Sequence, residues 1–229
     1  NMAGLVGTNA TTGRITNSAS ELKMTAKANI AGVVCTNQGK IASTYFDANK
    51  DKGKIYAYNN NITVPYSIQV AGFALTNEAN AEISMCYVEA ETHEKSGNTI
   101  GNISAKDYSA GFVFANAGSV YDCYADIELI GESSHNHIAG FVYENTGSVK
   151  NSYSYINKGR KTNLISMFTL ENTLGITDCY EIKQDVAGYK NNVEGLTTIS
   201  VLNRLEKDSY PTLMFGDNSS AVWTKTSSS

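Results

Sequence analysis

One short motif recurs six times along this chain, at a constant internal phase, and that recurrence limits the fold more than any other feature. Its clearest copy is AGFVYENTGSVKNSY, residues 139–153. The others are AGLVGTNATTGRITNSA (3–19), AGVVCTNQGKIASTY (31–45), AGFALTNEANAEISMCY (71–87), AGFVFANAGSVYDCY (110–124) and SMFTLENTLGITDCY (166–180). Copies begin at 3, 31, 71, 110, 139 and 166, so successive starts lie 28, 40, 39, 29 and 27 residues apart. The base unit is therefore about 27–29 residues, and two units carry roughly 11 more. A unit this short cannot bury an apolar face alone. It must stack on its neighbours, which is the logic of solenoid folds.

Each position in the unit has a physical reading. Ala-Gly-aliphatic-Val is a short apolar strand whose glycine permits close backbone approach. An Asn closes it at 9, 37, 77, 116, 145 and 172. Asn tolerates left-handed backbone angles and bonds its own turn. In stacked coils Asn9, Asn37, Asn77, Asn116, Asn145 and Asn172 would lie above one another and form an amide ladder. A second strand carries Ile15, Ile41, Ile83, Val120, Val149 and Ile176. It ends on Tyr45, Tyr87, Tyr124, Tyr153 and Tyr180, an expected aromatic column. Val120 and Cys123 cannot share one face of a straight strand, because side chains alternate with period two. A corner at Asn17, Asp122, Asn151 and Asp178 would let both face inward.

A propeller blade needs about 40–45 residues and four antiparallel strands, which this unit does not supply. The expected fold is all-β: a right-handed parallel β-helix (β-solenoid) of about six coils over residues 1–182, with the hand taken from the preference of parallel crossovers. Six rungs at about 4.8 Å make a rod section about 29 Å long. Residues 183–229 are expected to form a C-terminal cap and linker. Within them LTTISVLNRLE (196–206) places Leu196, Ile199, Leu202 and Leu205 at helical spacing, which predicts a short amphipathic helix. SYPTLMF and AVWTKT read as terminal strands, and together they would form a helix/strand cap over the bare end of the stack.

The two enlarged units gain their length after the closing Tyr. Being at one phase, the segments DKGKIYAYNNN (51–61) and THEKSGNTIGN (92–102) are expected to protrude together from one side. Binding residues concentrate on loops held by rigid scaffolds. Lys54, Tyr56, Tyr58, Asn60, His93, Lys95 and Asn98 are therefore the candidate partner-binding residues. Lengthening a surface loop costs little, so these inserts also read as tolerated insertions. Tyr56, Tyr58 and Tyr66 suit sugar or protein recognition if exposed, or loop packing if not.

No catalytic constellation emerges. His93-Glu94 begins like a zincin helix motif, but Gly97 stands where the second histidine must be. His135 and His137 have no nearby third ligand. No GxSxG elbow occurs. Among carboxylates suited to glycan cleavage, Asp122 and Asp178 alternate with Asn17 and Asn151 at the corner, so they read first as turn formers, leaving Asp126 and Glu128. Cys86, Cys123 and Cys179 share one position with Ser18, Thr44 and Ser152, a small interior site. Cys86 and Cys123 on adjacent coils lie within disulfide range, although in-register side chains point the same way. The expectation is no enzyme activity, no cofactor and no metal site.

Composition narrows the partners. A net charge of −4 gives no basic footprint for nucleic acid or anionic lipid, and no run of about 18 apolar residues exists for membrane insertion. NMAGLVGTN already lies inside a repeat, with no signal-peptide pattern before it, so the chain reads as part of a larger polypeptide.

The pattern Ala-Gly-aliphatic-Val…Asn-x-Gly-x-[Ile/Val]-x-[Asn/Asp]-[Cys/Ser]-Tyr resembles the GLUG-motif repeats of large secreted and surface-anchored bacterial proteins, among them IgA-protease-like metallopeptidases and filamentous adhesins. It covers about residues 3 to 180, departing at Ser166-Met167 and Leu174-Gly175, where the stack should be near its end. The resemblance implies an extracellular, secreted or cell-surface location. It also implies a stalk, adhesive or host-protein-binding role, with a host or cell-surface protein or glycan as partner, and it carries over no catalytic residue. Two other readings stand beside it: an accessory substrate-recognition domain of a secreted IgA-protease-like metallopeptidase, and a glycan-binding or glycan-cleaving β-helix such as a phage tail component.

Overall fold

The computed structural model describes residues 1–48, 54–57, 68–89, 103–105, 108–131, 137–160, 164–173, 175–183 and 193–200. Every strand pairing among them is parallel, and identical repeat positions stand opposite one another. The chain is a parallel β-solenoid with four faces.

The first face stacks six strands from Met2–Ala3 to Leu164–Ser166, the second six from Val6–Asn9 to Thr169–Asn172, and the third six from Arg14–Thr16 to Ile176–Thr177. The fourth face is a ten-stranded sheet, and seven of its strands form one path from Ala19–Ser20 through Tyr45–Asp47, Tyr87–Glu89, Tyr124–Gly131, Tyr153–Arg160 and Cys179–Lys183 to Leu196–Ser200. Its other three strands, Lys23–Ala26, Lys54–Ala57 and Ile103–Ala105, form a parallel run beside that path. That run joins it where Ile103–Ala105 pairs with Leu129, Ile130 and Gly131.

Inside, the core is a set of columns. Phe73, Phe112, Phe141 and Phe168 stack along the axis with ring centroids 4.8, 4.8 and 4.9 Å apart, all fully buried. A smaller cluster containing Ala31, Ala71, Ala110 and Ala139 with Cys35, Leu75, Phe114 and Tyr143 is separate from this core.

The glycine between the first two faces is required by close approach. A Cβ on Gly72 would overlap the carbonyl oxygen of Gly111, and one on Gly111 that of Gly140. The demand always looks toward the next coil. Met167 fills this position in the coil that ends the first face, and no strand follows it there among the described residues.

The corner between the third and fourth faces is built on left-handed backbone: φ is 50° at Asn17, 55° at Asp122, 47° at Asn151 and 53° at Asp178, as expected. Ser43 (50°) and Met85 (51°) adopt the same conformation in the two remaining coils. Val120 and Cys123 are both buried as a result.

Two expectations are corrected. Leu196–Ser200 is a strand, paired in parallel with Cys179–Lys183, where a helix over 196–206 was expected; 201–206 lie outside the described residues. The open parallel edge of the preceding coil offers main-chain partners that a five-residue helix start cannot match, and Thr197, Thr198 and Ile199 are β-formers. The segment 51–61 is not one protruding loop. Its central residues Lys54–Ala57 form a strand in register with Lys23–Ala26, with Ile55 and Ala57 buried in the core.

Candidate functional site

The recurring polar residues must be placed first, because a residue used for stacking is not free for chemistry. Each Asn of the second face ends its strand with its side chain turned inward. Asn9 Nδ2 donates to Asn37 Oδ1 (2.7 Å), Asn37 to Asn77 (2.8 Å), Asn77 to Asn116 (2.8 Å), Asn116 to Asn145 (2.8 Å) and Asn145 to Asn172 (2.7 Å). The expected amide ladder is present over six coils. None of the six has the left-handed backbone that the sequence allowed; their worth lies in the side chain.

The Ser/Thr/Cys position is a second ladder, and its rule was not legible as a small interior site. Every member donates to the carbonyl two residues before it, across the left-handed corner residue. Ser18 reaches Thr16 O (2.9 Å), Thr44 Ala42 O (3.0 Å) and Cys86 Ser84 O (3.0 Å). Cys123 reaches Tyr121 O (3.1 Å), Ser152 Lys150 O (2.8 Å) and Cys179 Thr177 O (3.2 Å). Two of these atoms also accept from the coil before: Cys86 N donates to Cys123 Sγ (3.4 Å), and Cys123 N to Ser152 Oγ (3.2 Å). A short side chain that both donates and accepts is the requirement, and Ser, Thr and Cys meet it. All four cysteines are free thiols. Burial pushes the Cys123 thiol well up and the Cys179 thiol to about 12, so these are poor nucleophiles.

On the outside of the fourth face, Tyr45, Tyr87, Tyr124 and Tyr153 form the expected column, with ring centroids 4.7, 4.9 and 5.0 Å apart and planes within 2° of parallel. Tyr180 pairs in register with Tyr153. Two residues on, Asp47, Glu89 and Asp126 pair in register as a carboxylate column on the same side of the strands. Burial, and then the charges of Glu89, Asp126 and Asp47 among its neighbours, push the Tyr124 hydroxyl well above its usual range. The rings cover one another's faces. What the column offers outward is ring edges and neutral hydroxyls beside acidic groups, suited to hydrogen bonding and not to stacking a sugar on an open ring.

A polar network crosses the third face. Lys40 Nζ lies 3.0 Å from Glu82 Oε2, and the Tyr121 hydroxyl donates to Glu82 Oε1 at 2.6 Å. The Tyr121 bond first, and then Lys40, hold the Glu82 carboxyl below the usual range.

Of the seven insert residues singled out, Lys54 and Tyr56 are described. They alternate with buried Ile55 and Ala57 on one outward side, Lys54 Nζ sitting 5.9 Å from the Tyr56 ring centroid. Tyr58, Asn60, His93, Lys95 and Asn98 lie outside the described residues, as do Tyr66 and His135. His137 stands in the first face with its ring 5.3 Å from that of Tyr108. Asp122 and Asp178 occupy the corner as turn formers, and Asp126 sits in the carboxylate column. Among the described residues no group of three or more His, Cys, Asp or Glu side chains could hold a metal ion. No described helix is long and apolar enough to cross a membrane.

Comparison with known proteins brings no relative to this chain: no family model, no curated protein and no solved structure matches it.

Proposed function

We propose that this chain is a non-catalytic β-solenoid segment of an extracellular bacterial surface or secreted protein, serving as a stalk with an adhesive or host-protein-binding side. The observation that carries this reading is the use of the repeat. The amide ladder from Asn9 to Asn172, the Ser/Thr/Cys ladder and the Phe and Tyr columns spend the recurring residues on holding one coil to the next. A repeat whose constant positions are all structural specifies length and stiffness, and its variable outward positions are left to select a partner. The resemblance to GLUG-motif repeats supports the extracellular placement.

The fourth face is the preferred contact side. It carries the tyrosine and carboxylate columns together with Lys54 and Tyr56. The test is binding of the full chain to arrayed host glycans and host-surface glycoproteins, read against Tyr56→Ala and Lys54→Ala. Binding weakened at least tenfold by Tyr56→Ala, with an unchanged melting temperature, supports the contact side. New reducing ends released from any glycan would overturn the non-catalytic reading.

A further inference from the structure

The first coil exposes what the next coil buries. Met2 is 39% and Leu5 38% exposed, while Ile30 and Val33, their counterparts in the next coil, are fully buried. Val6 and Ile15 pack against the core only partly covered, whereas Val34 and Ile41 at the same positions are at 0%.

The main chain is open on the same side. Gln38, Lys40 and Tyr45 donate their amides back to Asn9, Gly13 and Ser18 of the preceding coil. Glu78, Glu82 and Tyr87 donate in the same way to Asn37, Gly39 and Thr44. The first-coil amides at these positions are those of Ala10, Arg14 and Ala19, and they face the side where no described coil lies. An apolar core cut across its columns, beside a row of amides with no partner among the described residues, is an interface and not a finished surface.

We infer that this face is covered by one further coil of the same repeat, parallel and in register, supplied by polypeptide directly N-terminal to residue 1. The occupant follows from the interfaces already in the molecule. Each coil meets the next through the same contacts, and only a parallel coil extends the amide ladder past Asn9 and fills the columns above Leu5 and Val6. A second copy fits poorly. Head-to-head docking about a twofold axis would run the strands antiparallel and break every ladder. Head-to-tail docking would meet an uneven end, because the fourth face extends one strand, Leu196–Ser200, past Cys179–Lys183.

The geometry also dictates what that coil contains. Since a Cβ on Gly32 would overlap the Gly72 carbonyl, a residue standing over Gly4 must be Gly. An Asn must stand over Asn9, and Ser, Thr or Cys over Ser18.

The proposal rests on the solenoid geometry and is independent of the adhesive reading, so either can fail alone. The test is to extend the chain by its own upstream codons and compare amide hydrogen exchange. We expect that coil in the upstream sequence, and exchange at Ala10, Arg14 and Ala19 slowed on the order of 100-fold, as for edge amides becoming interior ones. An upstream sequence without these residues, or unchanged exchange at the three amides, overturns the proposal. So does a dimer of the 229-residue chain in sedimentation that Leu5→Lys dissolves, since the face would then belong to a second copy.

Discussion

Asn77 donates its Nδ2 to Asn116 Oδ1 at 2.8 Å while its own Oδ1 accepts from Asn37 at the same distance, so one buried side chain bridges coils that lie 40 residues before it and 39 after it. Asn77→Ala leaves Asn116 Oδ1 and one Asn37 N–H without their partner in a place water does not reach. The expected loss is about 2–6 kcal/mol, from roughly 1–3 kcal/mol for each of the two unsatisfied buried groups. Asn172→Ala, at the end of the ladder with a single neighbour, should cost about 1 kcal/mol. Urea unfolding of both variants checks this, and equal losses would show that the ladder does not act through its buried bonds.

The corner ladder makes a chemical distinction between substitutions of one size. Cys86→Ser keeps the donor to Ser84 O and should be neutral within about 0.5 kcal/mol, whereas Cys86→Ala removes the donor and should cost about 1 kcal/mol. Alkylation gives a second readout. With their thiols buried and raised, Cys123 and Cys179 should react with iodoacetamide only after denaturation.

Met85 holds φ at 51° with its side chain about half exposed, a conformation that costs an ordinary L-residue about 1–2 kcal/mol. Met85→Asn, which copies the residue at 17 and 151, should raise stability by about 0.5–1 kcal/mol. Thermal unfolding decides it.

Asp122 occupies the same corner with its carboxyl pushed up, chiefly by burial. A raised folded value means the stability present below the unfolded titration point is lost as pH rises through the folded one. Asp122→Asn should therefore match the parent in acid and exceed it in stability at neutral pH. Melting curves across that range test the sign.

Glu82 shifts the other way, lowered by the Tyr121 hydroxyl and by Lys40. Its contribution is present above the ordinary carboxylate value of 4.5 and is lost as pH falls through the lower folded value. Tyr121→Phe removes the largest cause. Carbon-13 NMR titration of the Glu82 carboxyl should show its midpoint moving up toward 4.5, and the acid-side loss of stability should shrink.

Gly72→Ala places a methyl into the Gly111 carbonyl and should cost about 3 kcal/mol or more, within the range of backbone and overpacking strain. Met167→Ala lies at the same repeat position in the last coil of that face, where no strand follows among the described residues. It should lose only the packing of its buried side chain, about 2–3 kcal/mol. A crystal structure of Gly72→Ala would show the shift between the two coils.

The sequence by itself determined the phase of the solenoid. A residue type returning at one phase has to meet its own copy in a parallel stack, so the Asn ladder, the Tyr column and the corner at Asn17, Asp122, Asn151 and Asp178 were readable from spacing alone. Where the signal was local, tertiary structure decided. Leu196, Ile199, Leu202 and Leu205 carry a helical period, yet an open edge at Cys179–Lys183 turned Leu196–Ser200 into a strand. Lys54–Ala57 looked like loop because no repeat residue marks it, and only its pairing with Lys23–Ala26 made it part of the wall. The alternation of Ser, Thr and Cys suggested a matter of size. It is a matter of hydrogen bonding, which appears only when the coil has turned far enough to bring Tyr121 O to Cys123 Sγ, and the next coil is in place to set Ser152 Oγ against Cys123 N.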